Sequence, residues 1–582
     1  MSDTTNETLE GGNYEVVRAR LLAQAKELGA RLDRLNAKRR EVFGGTELEV
    51  VAQERVRTEN NCVPRDVVGL TLPATTEGVE DGLGGERLLL GFNVFLGLKK
   101  ETRASDLFSV HRCAQNEDGT WDLSELPLAE AAPFLVDPAF EKELASLYAY
   151  FKDTKLVQVR KTETRLLAIF QIGTSATELK VFRWRIDANG TISFMDARGE
   201  GDHVFPKRYD FEWIPVGRDR QVQGRYPHLS ILDQVFLETT GGDLTIKIEN
   251  NTESGQGIYS EAVEDKNQSL DDAQVRYAKV GGLILIEVLP FRETKKRYFV
   301  YNPRVTRVTR LDAIGASCRT LPDDQGILFP GGFYLETGEH KVFDEDSAGL
   351  ELKRVIASPN GEDVLYVFHR RDEGLYQLLP YNVIRKELQT PIRVHGYTIQ
   401  DDGKLLVFRA VDEPSRVHPV QIWKTPFTSA EFAAKAPTNG SFLAKVGNAD
   451  LVRGVSDGFT VRRLVESAEP SRANYEALIK AIGRTLDAHY WLANEEVQLD
   501  GPLKELRRTA ELIVDEFEKL LALRKRATEA LDGARAKQAE LLAELRAADF
   551  HSVDAFMRAL TSLRHQRGAL VTLKEIRYVD EA

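Results

Sequence analysis

A chain of 582 residues is longer than one compact core normally holds, so several modules are expected. With 42% hydrophobic and 29% charged residues and no apolar run of membrane-spanning length, the composition is that of a globular protein and argues against membrane spans. A formal net charge of −12 argues against the whole chain wrapping nucleic acid, while leaving room for a local basic face. Cys62, Cys113 and Cys318 are scattered, with no spacing suited to zinc or to a disulfide framework. No charged-then-apolar leader opens the chain, and a cytoplasmic protein is expected. Sites such as Asn189-Gly190-Thr191 then carry no glycan.

Residues 1–45 read as a polar tail, Met1 to Glu7 at its start, and a helix from Tyr14 to Phe43. Leu21, Ala25, Leu28, Leu32, Leu35, Arg39 and Val42 recur in steps of four and three, the seam of a coiled coil. Arg31, Arg34, Lys38, Arg39 and Arg40 give the outer face either a solvated surface or a basic strip for phosphate. Gly44-Gly45 supplies the stop. Residues 46–85 read as a linker and loop region: Asn60 to Asp66 as ordered loop, Thr75 to Gly85 as a Gly- and acid-rich one. Within it, Gly82-Leu83-Gly84-Gly85 lacks the lysine and helix of a phosphate cradle.

From Glu86 to about Thr425 the pattern is strand after strand, and residues 86–428 are expected to form one β domain. Leu166–Phe170, Leu283–Val288, Val364–Phe368 and Leu405–Phe408 are short apolar runs rich in β-branched and aromatic residues. Polar turns introduce most of them: Lys279-Val280-Gly281-Gly282, Ser358-Pro359-Asn360-Gly361 and Gln400-Asp401-Asp402-Gly403. A more amphipathic strand follows several runs, as in Glu178–Ile186, then a turn at Asp187–Gly190 and a third strand at Thr191–Phe194. The unit recurs at roughly 40 residues, the spacing of a four-stranded blade, and about seven units fit between Glu86 and Thr425. The expected fold is therefore multi-domain β plus α, with a β-propeller-like array flanked by helices; two stacked sandwiches are the alternative. Glu86 to Thr102 reads as two packed strands joined at Gly91-Phe92-Asn93. Asp137-Pro138 opens a helical insertion over 137–151, with the acid as cap and the proline in the first turn.

Residues 429–500 read as a connector with a docking helix from Tyr475 to Ala493, apolar at Leu478, Ile479, Ile482, Leu486, Tyr490 and Trp491. Residues 501–582 carry the longest regular pattern. Leu506, Ile513, Leu520, Ala527, Ala534 and Leu541 fall seven apart, with Leu503, Ala510, Phe517, Arg524, Leu531, Gln538 and Leu545 at the second seam position. A shorter helix pair follows, Val553 to Leu563 and then a turn near Gly568, and Ile576 to Ala582 reads as a strand being entered. The N-terminal and long C-terminal helices are expected to pack on one another; the rival is a homodimer through two copies of Leu503–Leu545.

The string Gly91-Phe92-Asn93-Val94-Phe95-Leu96-Gly97-Leu98-Lys99 resembles the opening of the large bacterial AAA-type proteins known as DNA-repair ATPases. The order of helix, long strand-rich region and heptad-rich helix is similar too. The resemblance implies that this chain is the N-terminal, non-ATPase portion of such a protein. It also implies a nucleotide-hydrolysing module further along, using ATP and magnesium, as this chain's own partner.

The residues themselves offer no recognisable reaction centre. No Gly-x-x-x-x-Gly-Lys-Ser/Thr, His-Glu-x-x-His, Gly-x-Ser-x-Gly or paired Cys-x-x-Cys occurs, and no catalytic, cofactor or metal residue is assigned. His369-Arg370-Arg371-Asp372 lacks the partners of a kinase catalytic loop and reads as a charged hairpin; Asp401-Asp402-Gly403 is a turn. Two basic clusters lie on inter-strand loops: Arg218, Arg220 and Arg225, and Arg292, Lys295, Lys296 and Arg297. Loops of a propeller gather on two faces, so these residues are candidates for phosphate contact. Three readings follow: an interaction and regulatory module meeting other proteins through the propeller face, a direct DNA-binding region using the basic loops, and an enzyme with a site in the propeller channel.

Overall fold

The computed structural model describes residues 2–70, 86–94, 102–175, 177–204, 206–240, 242–267, 269, 272–343, 347–409, 413–435, 440–466, 471–547 and 552–573. The Gly82–Gly85 cluster, the end of the 91–99 string and the expected strand at 576–582 lie outside these residues. The chain divides into two compact units, Met1–Phe43 with Thr438–Ala582, and Gly44–Pro437.

The first unit is helical: Ser2–Phe43, Asn448–Glu466, Arg472–Ala488, Asp500–Ala547 and Val553–Leu573 are its long helices. Leu21, Ala25, Leu28, Leu32 and Leu35 are buried, as are Leu503, Leu506, Ala510, Ile513, Phe517 and Leu520. The N-terminal helix packs on the long one, as the two seams suggest, but in a bundle with Asn448–Glu466 and Arg472–Ala488. Tyr14, Tyr475 and Phe517 tie three of these helices together, the two hydroxyls 2.9 Å apart and each ring centred 5.7 Å from Phe517. Gly454 and Gly458 permit close helix approach, since a Cβ at either would meet Trp491 or Leu32. Arg39, at its seam position, is fully buried, donating to Asn36 Oδ1 and Asn448 Oδ1 at 2.8 Å each.

Four expectations for these helices are corrected. The first helix starts at Ser2, through the stretch read as a polar tail; polar residues lower helix propensity by only about 0.5 kcal/mol each. The docking helix stops at Ala488, a 3₁₀ turn follows, and Tyr490 is exposed. The helix Val553–Leu573 runs through Gly568 without a turn. A glycine inside a helix costs about 1 kcal/mol, too little to break it. The heptad seam is buried only as far as Ala534, leaving Arg524 and Gln538 exposed and Leu541 half-buried.

The second unit is made of antiparallel sheets in which consecutive strands are mostly neighbours. Lys155–Lys161, Arg165–Gln171, Leu179–Ile186 and Ile192–Asp196 form a four-stranded meander. A second sheet runs through His228–Ile231, Val235–Thr240, Asp243–Lys247 and Tyr259–Glu261, and a third through Gln274–Val280, Leu283–Leu289, Arg297–Asn302 and Arg307–Arg310. A fourth holds Arg319–Thr320, Gly326–Phe329, Gly332–Leu335 and His340–Val342. The twelve-stranded sheet runs from Glu351–Ala357 through Asp363–Arg370, Leu375–Asn382, Ile392–Ile399, Lys404–Arg409 and Ser415–Lys424, then onto Glu49–Leu70, Glu86–Val94 and Phe108–Gln115. The turn glycines Gly361 and Gly403 take φ of +67° and +84°, which a side chain would resist. Asp137 caps the helix Pro138–Tyr150 through Ala139 N at 2.8 Å, and Phe140 packs edge-on to Phe182 and Trp184.

The strand Glu49–Leu70 corrects the reading of 46–85 as linker. Its first part, Glu49–Arg57, pairs with Val417–Lys424; its second, Cys62–Leu70, pairs with Arg87–Val94. One strand thus joins the last strand of the unit to its first hairpin. Glu49–Arg57 is mostly exposed and so shows no apolar run, and Asn60 to Asp66 lies where the strand passes from one partner to the other.

Candidate functional site

A cavity of about 1210 Å³ lies within the sheet unit, lined by residues from Glu49–Leu70, Lys155–Lys161, Glu351–Ala357 and Ile392–Ile399. These strands share one local feature. Each carries a one-residue bulge against its hairpin partner: at Arg65 between Pro64 and Asp66, at Val157, at Lys353 and at His395. A bulge places two residues opposite one and re-aims the side chains beside it. Lys353 is the extra residue of its strand and lines the cavity; Asp66 follows the bulge of another and lines it too.

Asp66 and Lys353 meet there at 3.5 Å, Asp66 only 5% exposed. Asp66 accepts backbone hydrogen bonds from Val67 N at 3.0 Å and Val159 N at 3.1 Å, so it also clasps the neighbouring strand. Lys353 Nζ donates to the Tyr376 hydroxyl at 2.6 Å and lies 4.3 Å from that ring's centre. Burial pushes the Asp66 carboxyl up and the Lys353 ammonium down, and each charge opposes the other's shift. His369 stacks on Tyr376 with centroids 4.1 Å apart. Its Nε2 is buried without a hydrogen-bond partner among the described residues, and burial first, then nearby cations, hold the ring neutral. Arg65 is buried beneath Gly374, whose φ of +69° and missing Cβ leave room for the guanidinium.

Around this pair the wall carries both signs, with Glu163, Glu351 and Asp401 among its lining residues. Arg160, Lys161, Arg354 and Arg371 line the cavity beside Lys353. Glu351 accepts from Arg208 at 2.5 Å and faces Arg371 at 3.8 Å. Arg160 and Arg354 are exposed, and no ion pair engages either among the described residues. His203, also on the wall, is lowered to about 4 by burial and then by the charges of Arg371, Arg160 and Lys353. Elsewhere in the unit Cys62, Thr58 and His418 form a triangle, His418 Nε2 3.4 Å from the thiol and 3.1 Å from the hydroxyl. Burial raises Cys62 to about 11 and lowers His418 to about 4, so the pair is a thiol beside a neutral imidazole and not an activated nucleophile.

The basic clusters singled out from sequence sit elsewhere, on loops of two different sheets. Arg218 and Arg220 form a 3₁₀ turn before Gln221, with Arg220 3.7 Å from Asp219, and Arg225 covers the Tyr226 ring. Arg297 is a correction: it is buried, held by Glu261 at 2.5 Å and Glu293 at 2.6 Å, and cannot offer its charge to phosphate. Arg292 pairs with Asp265 and Lys296 with Glu287, at 3.1 Å each; Lys295 is exposed. Asp66, Lys353, His369, Arg160 and Arg354 were missed as a group. The available signal was charge inside an otherwise strand-like run, Leu352-Lys353-Arg354-Val355-Ile356.

A family model described as "ATPase involved in DNA repair" matches residues 27–490. No curated protein matches the chain significantly. Solved structures similar to it include one from the mitotic checkpoint complex (11% identity, 66% of this chain and 97% of that one, TM-score 0.21). Others are the Dos1 propeller (8%, 65% and 95%, TM-score 0.18) and a glycoside hydrolase, "GH43_1 enzyme from Xanthomonas citri" (10%, 68% and 92%, TM-score 0.21). At such TM-scores the architecture is read from the strand pairing alone.

Proposed function

This chain belongs to the family described as ATPase involved in DNA repair, and from that premise we propose that residues 1–582 are the non-catalytic, partner-recruiting region of such an ATPase. The sheet unit is read as a propeller of about seven blades. The observation that carries this reading is the strand Glu49–Leu70, which serves as the outer strand beside Ser415–Lys424 and then as the inner strand of the first hairpin. Sharing one strand between the last blade and the first removes the open edges that a linear array would leave. The strand Ile392–Ile399 is shared in the same way, pairing first with Tyr376–Leu378 and then with Leu405–Arg409.

ATP and magnesium are assigned in this reading to another module. The Gly-x-x-x-x-Gly-Lys-Ser/Thr loop that cradles nucleotide phosphates does not occur in this sequence. Of the four carboxylates that line the cavity, Asp66 and Glu351 answer Lys353 and Arg208. We assign nucleotide chemistry to a separate module of the ATPase, and the propeller channel to recognition. Purified residues 1–582 should show no ATP turnover above a mock preparation. Turnover that co-purifies with the chain and disappears on a single substitution within it would overturn this assignment.

A further inference from the structure

We propose that the far end of the helical unit is a docking groove for a partner's amphipathic helix, one that carries acidic side chains beside its apolar stripe. The inference deepens the partner-recruiting reading above and rests on it. Past Ala534 the long helix Asp500–Ala547 runs alongside Val553–Leu573, and Gln566 donates to the Ala534 carbonyl at 3.3 Å. This pairing leaves Val553 79%, Phe556 60% and Met557 54% exposed, with Leu542, Leu563 and Val571 exposed beside them. At about 100° per residue, Val553, Phe556, Leu560, Leu563 and Val571 fall within about 120° of the contact line, all in one rotational sense. On the long helix, Leu531 and Leu542 fall about 60–80° from Ala534 in the same sense. With five residues between their ends, the helices run antiparallel, so one rotational sense means one side of the hairpin. The apolar side chains thus form a single groove between two helix axes, roughly 27 Å long from Val553 to Val571.

Charge chooses the occupant. Arg535, Arg564 and Arg567 lie on the same side, about 80–140° from the contact line. All three are exposed, and none has an ion pair or side-chain hydrogen bond among the described residues. Asp532 is the acid at the groove's edge, about 160° round. Glu529, Glu540 and Asp554 lie on the far side of the hairpin, about 220–240° round, together with Lys537 and Arg558. A second copy would bring the same excess of arginine to a self-complementary face, cation against cation. A bilayer surface is flat and would leave the half-buried Leu531 and Leu560 between the two helices uncovered, whereas a third helix reaches both walls. Apolar anchors at heptad spacing, flanked by Glu or Asp for the three arginines, are the complement of this groove.

The test uses the full chain and a fluorescein-labelled peptide of three heptads, with Leu at both seam positions and Glu beside them, read by anisotropy. The same peptide with Lys for Glu, vesicles of phosphatidylserine and phosphatidylcholine, and mass by light scattering form the other arms. Saturable binding of the Glu peptide is expected, at least ten-fold tighter than that of the Lys peptide. It should fall at least ten-fold in Phe556→Ser/Met557→Ser and change less than two-fold in Tyr150→Ser, an exposed aromatic of the other unit. In Arg564→Glu/Arg567→Glu the preference should reverse toward the Lys peptide. Because the substituted side chains are exposed, an unchanged melting curve separates loss of the groove from loss of the fold. Equal or tighter Lys-peptide binding, absence of binding, or binding that Phe556→Ser/Met557→Ser leaves intact would each overturn the proposal. Vesicle binding without peptide binding would assign the groove to a membrane, and a doubled mass that Phe556→Ser/Met557→Ser abolishes would assign it to a second copy; either also overturns it. ATP turnover measured on the same sample reports separately on the non-catalytic reading, so the two can fail independently.

Discussion

Seven strands of the sheet unit fall into two groups, and the contrast between them explains where the cavity is. Cys62–Leu70, Lys155–Lys161, Glu351–Ala357 and Ile392–Ile399 are bulged and open onto it. His228–Ile231, Gln274–Val280 and Arg319–Thr320 keep unbroken register with their hairpin partners. The free edges of the regular group are occupied. Gln221–Val222 pairs with His228–Leu229, Ile214–Pro215 with Arg276–Tyr277, and Tyr209 bridges Cys318. One crossing segment, roughly 209–222, thus saturates the backbone of the regular strands, while the bulged strands turn side chains to the space that remains. The buried Asp66–Lys353 pair thus sits on bulged strands.

The sharpest way to break this contrast is to delete one residue from each kind of strand. Removing Ala278 slips half of Gln274–Val280 by one position and turns its buried Val275 outward. A cost of about 5 kcal/mol, enough to stop folding, is expected. Removing Val157 instead restores one-to-one pairing, since that residue is the extra one. Its cost should be about 2 kcal/mol, the burial of one valine. Urea denaturation distinguishes the two, and equal costs would mean that the bulges are incidental.

Lys353→Met tests the charged side of the same idea. It strands Asp66 in a buried site without its cation, and a loss of about 3–5 kcal/mol is expected at neutral pH. The loss should shrink in acid, because Asp66 can then take a proton. In the regular group, Arg276→Met leaves Glu287 still paired with Lys296 at 3.1 Å, and about 1 kcal/mol or less is expected. A smaller loss for Lys353→Met than for Arg276→Met would contradict the assignment of the buried pair.

Much of this was legible in sequence, and the failures have physical causes. Turns at Gly361 and Gly403 could be found because positive φ restricts the residue type. The helical seams could be read as far as Ala534 because both partners are amphipathic at one period. The strand Glu49–Arg57 could not, because its exposure removes the apolar signal. Nor could the cavity. A bulge is a mismatch between two strands, so Lys353 looks like any charged residue until its register against Phe368 and Val367 is known. The basic loops showed up readily because charge is conspicuous in sequence, whereas the carboxylates that engage them, Glu261 and Asp265 among them, are remote from them along the chain.

Acid should weaken the sheet unit through its buried histidines, His418 chief among them. His418, on a strand of the twelve-stranded sheet, is 1% exposed and lowered from 6.5 to about 4, chiefly by burial. The unfolded chain binds a proton near pH 6.5 that the folded one refuses until about 4. Stability is therefore fully present above pH 6.5 and drains as pH falls through that window. His418 alone accounts for on the order of 2 kcal/mol between pH 6.5 and 5. His418→Gln should flatten that stretch of the stability curve, measured by urea melts at several pH values. An unchanged slope would show that His418 stays as easily protonated as in the unfolded chain.

The smallest effect is expected on the regular side, from reversing the basic loop that sequence made prominent. Arg292, Lys295 and Lys296 lie together on one turn, yet Asp265 and Glu287 already take two of these charges at 3.1 Å. Phosphate binding there must first displace a protein carboxylate, so little net attraction is left to gain. Arg292 and Lys296 are exposed and the buried Glu287 keeps Arg276 at 2.5 Å, so loss of these pairs should cost folding only about 1 kcal/mol each. Affinity for a ten-nucleotide oligo-dT should therefore change less than two-fold in Arg292→Glu/Lys295→Glu/Lys296→Glu, and the salt slope should stay shallow. Arg297 is left out because reversing it would place a third acid between Glu261 and Glu293 and unfold the sheet. If the triple variant instead loses ten-fold or more, with the wild type showing a slope of two to three counterions (about 0.7 per phosphate contact for a single strand), the loop binds phosphate despite its carboxylates. The regular strands would then hold a functional surface of their own, and the division drawn from the bulges would fail.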